Sequence, residues 1–292
     1  MRLDGARARQ VLATHVAEPG GLTLERAAWG VHDLVNENMA SAARVHITEN
    51  AFDPRDFDLV AFGGAGPVHA YGVAKRLGVH HVIVPPLAGV FSSLGLLVAP
   101  PSVELSRSYP LVVGAADWQE VERLFDEMAV TGHAFLAAAG VTASAVTLRR
   151  RADMRYAGQG FEVSIDIPPG TTGWPGLVEA FNATYQRLFG RTIHGVAIEA
   201  VTWRLGAAGD SRQIGLPQWQ RSGPRIKGER TIYVPDKASM VLVPVYDRYA
   251  LLAGDSLDGP AVVEEDESTV IVNGAARVRV DDRLNLVLDL GG

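Results

Sequence analysis

The sequence predicts an α/β fold in three parts, and three observations carry that expectation. The stretch Asp58-Leu-Val-Ala-Phe-Gly-Gly-Ala-Gly-Pro-Val-His-Ala70 reads as a short apolar strand, a glycine turn and a helix in immediate succession, which is how a sheet covered by helices is built. Residues 103–210 alternate strand patterns with two long helical patterns, the mark of an α+β unit. Residues 211–292 hold only short strands separated by Gly, Asp and Pro turns, so a small β-rich domain is expected there. The boundaries read from these changes are 1–102, 103–210 and 211–292.

Taken in order, residues 6–16 form a first short helix that Pro19-Gly-Gly21 stops, and Thr23 opens a longer one. Leu24, Ala27, Ala28, Val31, Leu34, Val35, Met39, Ala42 and Val45 recur at steps of three and four, so that helix is expected to bury this stripe. Asn36 and Asn38 sit in its middle, where Asn has poor helix propensity, and they need a role in packing or binding to offset that cost. Phe52-Asp-Pro-Arg-Asp-Phe57 turns the chain into the strand at 59–62. Pro67 suits the first turn of the helix that follows, with Ala70, Val73, Ala74 and Leu77 facing inward and Gly78 closing it. Residues 82–84 form the next strand, ended by Pro85-Pro86, and 89–98 reads as a helix packed closely through its small residues.

In the second part a strand at 103–113 leads to a helix with Asp117 as N-cap and Glu120 completing a capping box. Strands at 146–156 and 161–167 flank Ala157-Gly158-Gln159-Gly160 as a hairpin, a helix runs from 174 to 189, and a strand covers 197–205. Arg155, Tyr156 and Gln159 cluster at the hairpin end, where they either contact a substrate or partner or are simply solvated. In the third part 211–230 reads as a linker, and strands follow at 231–234, 240–246, 261–264, 269–272, 277–280 and 285–288. The acidic run Glu264-Glu-Asp-Glu267 reads as a solvated turn rather than a metal site, because contiguous acids point in alternating directions.

Composition narrows the function. With 292 residues, 47% apolar and 21% charged, the chain is long enough to bury a sizeable core. A net charge of -6 gives no electrostatic case for nucleic acid. Zero cysteines exclude disulfides, thiolate zinc sites and a cysteine nucleophile. No stretch reaches the roughly 18 uninterrupted apolar residues of a membrane span, so no membrane partner is expected and a cytoplasmic protein is the expectation. No metal-ligating cluster and no Ser-His-Asp pattern stands out, and no catalytic residue is named.

The glycine turn carries the one legible site. Gly63, Gly64 and Gly66 allow positive φ and close backbone approach, and the helix behind them points free N–H groups and a positive end at whatever lies above the sheet. The turn is not a dinucleotide fingerprint. His69 stands where its third glycine should be, and no acidic residue follows the next strand to hold a ribose.

The run Asn36-Glu-Asn-Met39, then residues 52–57 and 59–70, then Val82-Ile-Val-Pro-Pro86 and Gly89-Val-Phe-Ser-Ser-Leu-Gly-Leu-Leu97, resembles the hydantoinase A / 5-oxoprolinase family, which includes acetone and acetophenone carboxylase subunits. Arg151-Ala-Asp-Met-Arg-Tyr-Ala-Gly-Gln-Gly-Phe-Glu162 and Leu257-Asp-Gly-Pro-Ala-Val-Val-Glu-Glu265 match later motifs in the same order. The resemblance implies that the first part is the second half of an actin/sugar-kinase-like (ribonuclease H-like) ATPase domain, with Gly63, Gly64, Ala65 and Gly66 against the adenosine of ATP. It also implies that His69, Asn36 and Asn38 lie near the nucleotide or its Mg. The family's phosphate loop, an Asp followed by a Gly-Gly-Thr-type turn, has no counterpart here, and Met1 onward resembles an internal stretch of longer members. A chain carrying the N-terminal half and a hydantoinase B-like subunit are therefore the implied partners, or else the reading frame is shortened. The implied function is the C-terminal part of an ATP-dependent cyclic-amide hydrolase subunit acting on a small molecule such as a hydantoin or 5-oxoproline, inactive alone. A ketone carboxylase subunit and a non-catalytic scaffold are the alternatives.

Overall fold

The computed structural model describes residues 4–50, 52–211, 215, 223–274 and 276–291. It is a mixed α/β protein with three sheets. Two compact units are present, one made of Met1–Leu96 with Gly215–Gly292 and the other of Leu97–Ile214.

The first unit begins with α1 (Gly5–Leu12), capped by the Asp4 carboxylate, which accepts from the Arg7 N–H. The chain passes through a π-helical turn at Ala13–Ala17 into α2 (Glu18–Gly20) and breaks at Gly21, whose φ of 59° is left-handed. Thr23 caps α3 (Leu24–Glu49) by accepting from the Arg26 N–H. The buried face of α3 is not the expected aliphatic stripe. Ala27, Asn36 and Ala40 are buried, while Val31, Leu34, Val35, Met39 and Val45 are exposed, Leu34 at 61%. The reason is the neighbour. A helix packs against α3 through Gly72, where an added Cβ would stand 2.3 Å from the Asn36 Nδ2, so only small or polar side chains fit the contact.

That neighbour is α4 (Gly66–Leu77), which lies between β1 (Leu59–Val60) and β2 (His81–Val84) in a parallel β–α–β crossover. Ala70, Tyr71, Val73, Ala74 and Leu77 of α4 are buried, and Gly78 ends the helix at φ 73°. After it, α5 (Phe91–Val98) has no buried residue, and Leu96 is 80% exposed. Of the close packing expected over 89–98, Gly89 ahead of the helix shows it, against Glu267, and α5 itself does not.

The second unit is one antiparallel sheet under two helices. Its elements are β3 (Ser102–Val112), α6 (Trp118–Ala138), β4 (Thr147–Tyr156), β5 (Val163–Asp166), α7 (Trp174–Phe189) and β6 (Ile198–Ala208), with strand order β3-β6-β4-β5. Asp117 caps α6 by accepting from the Gln119 N–H. Glu120 instead accepts a hydrogen bond from the Tyr109 hydroxyl at 2.6 Å. Phe125 and Met128 of α6 and Leu177 and Phe181 of α7 pack on Met154, Trp203 and Leu205 of the sheet, all at 1% exposure or less. The Trp203 Nε1–H donates to the Tyr109 carbonyl, so the buried indole leaves no orphan donor.

The chain then returns to the first unit. Half of the expected linker at 211–230 lies outside the described residues, and from 226 the chain is strand. β7 (Ile226–Val234), β8 (Ser239–Asp247), β9 (Ser256–Asp258), β10 (Ala261–Glu264), β11 (Thr269–Val272), β12 (Arg277–Val280) and β13 (Leu286–Asp289) make up this segment. Four of these strands form a sheet in the order β11-β10-β8-β7. The other three complete the sheet begun by β1 and β2, in the order β1-β2-β13-β12-β9. Leu286 lies opposite Val84 and Leu288 opposite Val82. These side chains share one core with Ala70, Val73, Val263 and Val278.

Residues 215–292 thus differ from the separate β-rich domain expected from the boundary at 211. The alternation Leu286-Val-Leu288 supplies one apolar face, and the free edge of β2 supplies its partner. Replacing fully buried Leu288 with Ala is expected to destabilise the first unit by about 2–5 kcal/mol. Hydrogen exchange should show lost protection at 81–84 as well as at 277–280; protection retained at 81–84 would contradict the shared sheet.

Candidate functional site

The glycine turn follows β1 and opens α4. Gly63 has φ 86°, a left-handed conformation that calls for glycine, and its N–H donates to the Ala88 carbonyl at 2.7 Å. Gly64 and Ala65 are exposed, and Ala65 is the N-cap of α4 without a side-chain cap. The first turn of α4 carries no acidic residue, and an added Cβ at Gly66 would meet nothing within 4 Å. The start of a twelve-residue helix therefore has no side-chain cap, although Pro67 carries no N–H and the Val68 N–H donates to the Ala65 carbonyl at 3.2 Å.

What stands beside the turn is the tip of the β10–β11 hairpin. A Cβ at Gly64 would lie 3.3 Å from the Glu267 carbonyl oxygen, and one at Gly89 would lie 2.5 Å from the Glu267 Cβ. The acidic run at this tip is only partly the solvated turn expected of it. Asp266 and Glu267 are exposed, but Glu264 pairs with Lys227 and Arg230, and the Glu265 side chain is 4% exposed. Glu265 accepts from the backbone N–H groups of Leu87, Ala88 and Gly89 and pairs with the Arg248 Nε at 3.4 Å. Leu87 adopts φ 57° to make this nest. Arg248, fully buried, also donates to the Leu284 carbonyl. Burial pushes the Glu265 carboxyl up, opposed by Arg248 and the three N–H groups. Burial likewise lowers Arg248 to about 10, opposed by Glu265.

This pair ties the 87–89 loop, which holds Gly63, to the hairpin tip and to the turn before β13. Arg248 had no signal in the sequence, and the acidic run that contains Glu265 reads there as a solvated turn, which the 4% exposure of the Glu265 side chain corrects.

Asn36 and His69 meet across α3 and α4. The Asn36 side-chain amide lies 2.7 Å from the His69 Nδ1, within hydrogen-bond distance. Asn36 is fully buried, with Gly72 making the space for it. Asn38 is exposed two residues further along α3, roughly 200° around the helix, so it does not join this contact. His69 stacks on His32 with ring centroids 4.4 Å apart, His32 leans on Trp29 at 5.2 Å, and Trp29 stacks on Tyr233 at 5.5 Å. Trp29, His32 and Tyr233 had no signal in the sequence, because the rings come from α3 and β7, two hundred residues apart in the chain.

In the second unit the hairpin cluster is structural. Arg155 pairs with Glu199 and Glu162. Tyr156 is buried, its hydroxyl donating to Asn182 and accepting from the Ile193 N–H, while the Gln159 amide accepts from the Tyr156 N–H and donates to the Tyr185 hydroxyl.

Two family models match the chain, hydantoinase/oxoprolinase over residues 1–104 and the hydantoinase/oxoprolinase C-terminal domain over residues 113–288. The chain belongs to the hydantoinase/oxoprolinase family. This hydantoinase/oxoprolinase chain is 28% identical to the acetone carboxylase beta subunit of Xanthobacter autotrophicus, over 93% of itself and 40% of that subunit. The nucleotide-free structure of acetone carboxylase, an enzyme of ATP-dependent acetone carboxylation, superposes with a TM-score of 0.72 at 26% identity, over all of this chain and 43% of that one. The ATP-dependent caprolactamase of Pseudomonas jessenii shares the fold with a TM-score of 0.76 at 24% identity, over all of this chain and 44% of that one. The chain thus spans about two fifths of the length of these relatives.

Two outcomes follow from this geometry. Arg248→Met strands the Glu265 carboxylate in the core and is expected to cost about 3–5 kcal/mol, while the double variant with Glu265→Gln should recover most of it. Denaturant unfolding of both variants decides this. His32 is held below 6.5 by burial first and then by His69 and Arg76, with Asp33 opposing. The folded state therefore binds this proton less readily than the unfolded chain, so His32's contribution is intact above about pH 6.5 and is lost as pH falls through the depressed value. The melting temperature should drop more between about pH 7 and pH 5 in the native sequence than in His32→Gln.

Proposed function

We propose that this chain is the adenosine-facing lobe of an ATP-dependent enzyme that opens a cyclic amide such as a hydantoin or 5-oxoproline, on an actin-like ATPase architecture. The observation that carries this reading is the turn between β1 and α4, with left-handed Gly63 and an uncapped helix start, inside the stretch that matches the family model. The residues fit a nucleotide in a specific way. Gly66 leaves room for close approach, and the start of α4 beside it has no side-chain cap. Exposed Asp266 and Glu267 stand beside the turn, and that sign of charge suits a neutral adenosine better than a triphosphate.

The phosphates then belong to the other lobe, whether a partner chain or a longer reading frame carries it. Mg would accompany them as the counter-ion of the triphosphate. His69, fixed by Asn36 on α3, is placed one turn into α4, where it orients groups approaching the turn. Exposed Asn38 is assigned to the partner-facing side of α3. When bound, ATP supplies a phosphoryl group that makes an inert amide oxygen a leaving group, or readies a ketone for carboxylation. The carboxylase alternative is favoured by the 28% identity to an acetone carboxylase subunit.

The test is to purify the chain with a partner carrying the phosphate loop and with a hydantoinase B-like subunit, and to measure substrate-dependent ATP hydrolysis. A Cβ at Gly66 meets no atom within 4 Å, so Gly66→Ala adds a methyl group at the approach to the turn. It should raise the KM for ATP by about tenfold or more with the melting temperature unchanged. An unaltered KM would remove the turn from the nucleotide site, and absence of nucleotide binding with any partner would favour the scaffold.

A further inference from the structure

Two phenyl rings flank the glycine turn. Phe62 stands immediately before left-handed Gly63 and Phe91 opens α5, and the rings meet with centroids 5.6 Å apart and planes at 52°. Alternation along the strand turns Ala61 into the core and Phe62 outward, 46% exposed, with Phe91 partly exposed beside it. The Gly63 N–H donates to the Ala88 carbonyl at 2.7 Å, which ties together the two loops that carry the rings. The pair is therefore a fixed aromatic surface at the edge of the turn.

One carboxylate shares this edge. The backbone of Glu267 runs beside Gly64 and Gly89, each two residues along the chain from one of the rings, and the missing side chain at Gly89 lets it approach. Glu264 and Glu265 of the same run are paired, whereas the exposed Glu267 carboxylate has no hydrogen-bond or ion-pair partner among the described residues. Residues 59–69 and 85–98 hold no Lys or Arg. A ligand anion would find no counter-charge on these two loops. A flat neutral ring with an exocyclic N–H donor would find both a face to stack on and an acceptor.

We propose that Phe62 and Phe91 form the platform for the base of the nucleotide, and that Glu267 selects adenine by accepting a hydrogen bond from its 6-amino group. This rests on the nucleotide reading of the turn and adds the residues that choose the base. Stacking on the rings is tolerant of base identity, because every base has a π-face. The choice comes from the carboxylate, which only accepts, so a 6-oxo group in the same place sets oxygen against oxygen.

Titration calorimetry of the full chain with adenosine and with purine riboside, which lacks only the 6-amino group, tests it. Adenosine should bind about tenfold more tightly, the equivalent of one hydrogen bond to a charged acceptor. Glu267→Ala should erase that preference with the melting temperature unchanged. Phe62→Leu should weaken both nucleosides by about tenfold through the lost stacking contact, and Phe62→Trp should keep them near the native affinity. Equal affinities for the two nucleosides, a preference retained in Glu267→Ala, affinities undiminished in Phe62→Leu, or no binding of either nucleoside at millimolar concentration would overturn the proposal. If Gly66→Ala still raises the KM for ATP in any of these cases, the turn keeps its nucleotide and only the base platform falls; if it does not, the nucleotide reading falls as well.

Discussion

The first unit depends on the pairing of β13 with β2. A two-stranded parallel ladder of β1 and β2 leaves an open edge and half a core, and two strands in water are marginal at best. β13 closes that edge with Leu286 and Leu288, and β12 and β9 extend the sheet behind it. The buried Arg248–Glu265 pair acts on the same closure from the other side, since it fastens the loop after β2 to the turn before β13 and to the β10–β11 tip. The conformation of Gly63 is then held by a carbonyl, that of Ala88, which itself sits in this fastened loop.

What was legible in the sequence was local. The strand–glycine–helix succession at 58–70 is written in consecutive residues, so β1, α4 and the cap at Gly78 could be read directly. The hairpin of β4 and β5 and the two helices of the second unit are equally local. Long-range partners were not legible. Nothing in 277–289 names β2 as its neighbour, because a period-two apolar pattern specifies a face and not an address. The stripe on α3 misled for a related reason. Periodicity marks a face as apolar, but the side that packs was chosen by the space Gly72 leaves for Asn36.

The site followed the same division. The glycines were found because φ > 0 and close approach restrict residue type, and Asn36 drew notice because a mid-helix Asn is costly. Asn36 and His69 do meet, which a spacing of 33 residues could not show. Asn38, read by the same reasoning, faces away. Glu265 and Arg248 were missed because a buried ion pair looks in sequence like two ordinary surface charges. The ring stack from His69 to Tyr233 was missed because it joins α3 and α4 to β7.

The interruption of the first unit by residues 97–214 has a consequence for biosynthesis. The inner segment is contiguous and can complete its sheet as soon as β6 leaves the ribosome, whereas the outer one must wait for β13, which follows β6 with six strands between them. While the residues between β2 and β13 are being made, the edge of β2 is thus an unsatisfied ladder, and the emerging polypeptide calls for protection there until β13 arrives.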